Sequence, residues 1–142
     1  MPAPDRNPRP SDPALPRWLR LAPAAIILWM LTSWPVGLAL DPDRLKKPGE
    51  SAYLVADLAI LLPLAVVSAA ALRRRSPAAR GLLATTLGAL AYDATHFAVR
   101  TVAELSGTAG RVGVIAGLGL LLAVIVFGLR LVLRTPPSPA AT

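Results

Sequence analysis

Four stretches of roughly 20 apolar residues, separated by short charged connectors, constrain this chain more than any other feature. A helix rises about 1.5 Å per residue, so each stretch is long enough to cross the hydrocarbon of a bilayer. They run over about 18–39, 52–72, 81–103 and 112–133. Lipid offers no partner to a backbone N–H or C=O, so a span must satisfy its own groups, which a helix does. Strand spans would be about ten residues long and would alternate in polarity. These stretches are longer and do not alternate. The expected fold is therefore all-α: a four-transmembrane-helix bundle forming one domain over residues 17–134.

The composition fits that reading. Apolar residues make up 54% of 142, and the mean hydropathy is +0.55. A soluble domain of this size has too little interior to hide so much apolar surface. At the N-terminus, residues 1–16 hold six prolines, which remove donors and block helix, so a disordered tail is expected there. Residues 135–142 read as a second loose tail. The apolar run from Leu21 to Leu40 is too long for the core of a signal peptide, and no small-x-small cleavage site follows it. It is read as an uncleaved first span.

The net charge of +7 and the pI of 11.3 do not mark a nucleic-acid binder, because the basic residues flank the apolar stretches instead of forming a patch interleaved with aromatics. Ten lie on one side: Arg6, Arg9, Arg17, Arg20, Arg73, Arg74, Arg75, Arg80, Arg130 and Arg134. Five lie on or near the other: Arg44, Lys46, Lys47, Arg100 and Arg111. The excess places both termini in the cytoplasm of a multi-pass cell-membrane protein. The bias toward alanine, arginine and proline points to a GC-rich bacterial genome, hence to a bacterial inner membrane.

The third stretch differs from the others. It reads GLLATTLGALAYDATHFAVRTVAE. At 100° per residue, Thr86, Asp93, His96, Arg100 and Glu104 fall within an arc of roughly 80°. Leu87, Ala91, Ala94, Ala98 and Val102 form the opposite, apolar face. Charged groups inside a span turn toward the bundle or water, not toward lipid. From the outer end near Glu104, Arg100 lies about 6 Å in, His96 about 12 Å and Asp93 about 16 Å. In the second stretch, Asp57 lies about 9 Å in from Ser51, with Tyr53 on its face.

These depths predict one cluster in the outer half of the membrane, made by Asp57, Asp93, His96 and Arg100. Tyr53 and Tyr92 are expected at its border, and Trp34, with Thr32 and Ser33, at a similar depth on the first helix. Two readings compete. In one, the charges are structural: Arg100 bridges Asp57, while Asp93 and His96 satisfy each other. Such networks add little net stability once desolvation is counted. In the other, they bind a ligand or relay protons, since histidine titrates near neutral pH and arginine holds anionic head groups.

Prolines interrupt two stretches. Pro63 lies mid-membrane in the second and is expected to kink it by freeing the carbonyl of Ala59. Pro35 lies near the outer end of the first, and Pro23 near its start. The fourth stretch is almost purely aliphatic. Its Gly113-x-x-x-Gly117 repeat gives a smooth face for helix packing, either within the chain or against an oligomer or partner subunit.

Several chemistries find no support. The chain has no cysteine and a single histidine, which excludes disulfides, thiolate chemistry and a bis-histidine haem. His96, Asp93 and Asp57 are a poor zinc set, and no metal or cofactor is implied. No phosphate-binding loop, dinucleotide fingerprint or nucleophile elbow is present. The first span lacks the acidic residue expected of small multidrug transporters, and no motif ties the chain to a family. The leading expectation is a small polytopic membrane protein that handles a small molecule or ion at the polar cluster, by binding or transport and possible coupling to protons. Its ligand would be lipophilic or amphipathic. The first alternative is an accessory subunit of a larger membrane complex. The second is a membrane enzyme that uses a carboxyl as general acid on a lipid or isoprenoid.

Overall fold

A computed structural model describes residues 15–46 and 49–134. Most of both expected tails, and Lys47, lie outside the described residues. Helix α1 spans Arg17–Leu40, and a short 3-10 turn at Arg44–Lys46 follows it. Helix α2 covers Glu50–Arg73, α3 Ala79–Glu104 and α4 Thr108–Leu133. Each exceeds its expected span by one to four residues at its ends, save the C-terminal end of α4, which falls at Leu133 as expected. The connectors are correspondingly short, and Arg111, expected in a loop, sits in the first turn of α4, donating to the Leu105 carbonyl at 2.7 Å.

Three of the helices, α1, α2 and α4, are long and apolar enough to cross a membrane. Their most apolar windows are only 17%, 22% and 11% buried by the rest of the chain. So much uncovered apolar surface calls for lipid as its solvent. Helix α3 is as long as α4, at 26 residues, but is not among the helices that qualify on composition. Its polar stripe is the reason.

The helices run up and down. Both ends of the described chain and the 74–78 turn lie at one end of the bundle, called here the terminal end. The 41–49 and 105–107 connectors lie at the other, the loop end. Helix α3 packs against α2 on one side and α4 on the other, and α1 packs against the second half of α2. The core falls into two clusters. At the terminal end, Leu19, Leu83, Leu87, Ile125 and Val132 join all but α2, whose Leu72 packs against them. Nearer the middle, Ile26 and Met30 of α1 meet Leu61 and Ala65 of α2.

Lipid does not drive helices together, so contact must come from close packing and internal hydrogen bonds. Both are present. Ser68 of α2 and Thr86 of α3 are fully buried, and their hydroxyls are 2.7 Å apart. Gly128 lets α4 approach so closely that a Cβ there would lie 3.1 Å from Leu19 and 3.2 Å from Trp18. Gly113 and Gly117 make no such approach: a Cβ at either meets nothing within 4 Å. Packing within the chain by that pair, one branch of the sequence reading, is therefore replaced by packing at Gly128. On the exposed faces, Thr32, Thr85 and Thr95 donate to carbonyls of their own helix four residues back, which hides their hydroxyls from an apolar surround.

Pro63 acts as its chemistry demands, though not by a simple kink. The turn before it, Asp57–Leu61, is wound as a π-helix, and the Leu62 N–H reaches back five residues to the Asp57 carbonyl. Widening the turn makes room for a residue that lacks an N–H and whose ring crowds the preceding turn. The wide turn begins at Asp57, one of the two carboxylates of the site below.

Candidate functional site

At the loop end the helices enclose a cavity of about 650 Å³. Helix α1 supplies Trp29, Ser33, Trp34 and Gly37, α2 supplies Glu50, Tyr53 and Asp57, and α3 supplies Asp93, Ala94, Phe97 and Arg100. Helix α4 closes it with Val114, Gly117, Leu118 and Leu121. The ring contacts between α1 and α4 lie at the opposite end, where Trp18 stacks on Phe127 with centroids 6.3 Å apart. At the loop end the two helices face each other across the cavity.

Of the residues expected in the cluster, Asp57, Asp93, Arg100, Tyr53 and Trp34 line this cavity. Trp34 donates its indole N–H to Asp57 Oδ2 at 2.7 Å, which ties α1 to α2 at the π turn. His96 and Tyr92 are not part of the lining. His96 is exposed and pairs through Nδ1 with the Tyr53 hydroxyl, while the Tyr92 ring stacks on its ring. Histidine is thus one residue removed from the cavity, behind Tyr53. Thr32 is also outside it, bonded to its own helix.

The ion pairs differ from the expected ones. Arg100 meets Glu50 at 3.3 Å and Glu104 at 3.0 Å, not Asp57. Its guanidinium also lies over the Tyr53 ring, 5.7 Å from the centroid. Glu50 is shared: its other oxygen accepts from Arg44 Nε at 2.9 Å. Arg44 in turn sits over the Trp34 ring at 5.0 Å. The chain Arg44–Glu50–Arg100–Glu104 forms a lid of alternating charge across the loop end. Asp93 makes no hydrogen bond or ion pair with any described residue, and it shares the cavity wall with Asp57. Asp93 and His96 do not satisfy each other.

No protein family, characterised protein or solved structure matches this chain. The site must therefore be read from its own geometry.

Glu50 and Arg44 are cavity-lining residues that sequence reasoning passed over, because both fall in the expected first connector, where charges are ordinarily solvated. Gly49 offered a signal. Its φ of 85° turns the chain into α2 and, with no side chain, leaves room for Arg100 Nη1 at 3.4 Å from where a Cβ would stand. Among the described residues no three Asp, Glu or His side chains converge as metal ligands would. What the arrangement offers chemically is an apolar, aromatic-walled chamber with two carboxylates on its inner wall and a neutralised charge chain at its mouth.

Proposed function

We propose that this chain is a four-span membrane protein that binds a small amphipathic molecule in the loop-end cavity, as a binding or transport protein. The observation that carries the proposal is the cavity itself: a ligand-sized space with mostly apolar walls and a few convergent polar groups.

The case for a fourth crossing rests on packing. Helix α3 runs antiparallel between α2 and α4, joined to them by short connectors, and contacts both. If its neighbours cross the bilayer, α3 crosses with them, with Thr86, Asp93 and Arg100 turned to α2 and the cavity and His96 on the exposed flank. Arg17, Arg20, Arg73, Arg74, Arg75, Arg80, Arg130 and Arg134 gather at the terminal end, so that end is assigned to the cytoplasm of the cell membrane. The cavity then belongs to the outer leaflet.

Gly117 provides the test, because it borders the cavity and its Cβ position is empty. The protein is purified in mild detergent and examined by native mass spectrometry. The wild type is expected to carry a retained small-molecule mass, absent from Gly117→Trp, while both melt at the same temperature. A mass retained equally by both rules out the cavity as its site.

A second reading is favoured by one observation. Helix α4 is the least covered of the three apolar spans, and Gly113 lies open on it. That suits an accessory subunit seated against another membrane chain. A second polypeptide at fixed stoichiometry in the same spectrum would establish it.

A further inference from the structure

The ligand class of this cavity follows from its charge balance, and the inference rests on the binding reading above. Overall the chain is strongly basic, at +7. The cavity reverses that sign among the described residues: five carboxylates, Asp41, Glu50, Asp57, Asp93 and Glu104, border it against two guanidiniums, Arg44 and Arg100. Both guanidiniums are already engaged. Arg44 is held by Glu50 and lies over Trp34, and Arg100 is held by Glu50 and Glu104 and lies over Tyr53. Arg100 Nη1, which makes no hydrogen bond, is buried inside the protein, so an entering anion cannot reach that nitrogen.

The carboxylates on the inner wall are in the opposite condition. Trp34 occupies one oxygen of Asp57, and no described cation pairs with either Asp57 or Asp93. Two neighbouring carboxylates inside a span are expensive to keep without a counter-charge. Trp29 and Phe97 present ring surface to the same space, and aromatic faces attract cations. The geometry points to a lipophilic organic cation as the ligand, its positive centre between Asp57 and Asp93 and its apolar part against Trp29, Phe97, Leu118 and Leu121.

Tetraphenylphosphonium and tetraphenylborate, nearly identical in shape and opposite in charge, separate this from the alternatives. Binding is measured by equilibrium dialysis on the full chain in non-ionic detergent. The cation is expected to bind saturably and at least tenfold more tightly than the anion. Asp57→Asn with Asp93→Asn removes that binding, whereas Arg100→Gln retains or tightens it. If the double variant does not fold, Asp93→Asn decides, because Asp93 makes no bond whose loss could unfold the protein; a tenfold loss is expected. Preferred binding of the anion, or undiminished cation binding in the foldable carboxamide variant, overturns the inference. In that case Gly117→Trp still reports whether the probe occupies the cavity, so the binding reading stands or falls separately. Binding of neither probe by the wild type overturns the cation assignment, and retention of another mass in the native spectrum would keep the cavity reading alone.

Discussion

The two ends of this bundle use the same four helices in opposite ways. At the terminal end they close on one another. Leu19 and Leu83 are fully buried, the Ser68 and Thr86 hydroxyls are hydrogen-bonded between helices, and Gly128 brings α4 against α1. At the loop end α1 and α4 stand apart around about 650 Å³, and the described carboxylates gather there. The difference teaches where stability and function are separable. Close packing is the chief source of helix association in lipid, so the closed end holds the fold. The open end forgoes that packing, and the charges it holds are costly to keep inside a span.

Substitutions can break or sharpen this division. The largest effect is expected at Gly128. Gly128→Val pushes branched methyls into Leu19, Trp18 and Leu87 and should destabilise by about 1–3 kcal/mol, whereas Gly113→Val should stay within about 0.5 kcal/mol. Thermal unfolding in detergent measures both, and equal losses would mean that Gly113 is covered in the working protein.

A double-mutant cycle of Ser68→Ala and Thr86→Val comes next. The coupling should be about 0.6 kcal/mol, typical of a hydrogen bond between membrane helices. Zero coupling would assign the join to packing alone.

The smallest effect belongs to the charge lid. Glu104 is 66% exposed at its side chain, so Glu104→Gln should change stability by less than about 0.5 kcal/mol. A loss comparable with that at Gly128 would return the charge chain to a structural role and dissolve the contrast between the ends.

The polar stripe on α3 shows how far sequence reading reaches. Helical periodicity placed Asp93 and Arg100 on one side, and the rise per residue set Asp57 and Trp34 at matching depth. All four line one cavity. The partners were not legible. Arg100 turns to Glu50, 50 residues earlier in the chain, because the connector at Gly49 folds back over it. His96 lies on the same stripe by angle, yet Tyr53 stands between it and the cavity. A stripe 80° wide spans both the inner and the outer flank of a helix, and only the neighbour's position distinguishes them.

Helix type, helix length and the approximate ends of each helix follow from the sequence alone, because backbone groups without solvent partners must bond within their own segment. The Pro63 distortion follows in position, but its form as a π turn depends on the neighbours that accept a wider helix. Whether a small residue packs or lies open is a tertiary fact: Gly113 and Gly117 carry the expected spacing, yet Gly128 makes the contact. The cavity is tertiary as well. Its walls come from four helices, and space between helices is set by how their axes diverge, which no single segment encodes.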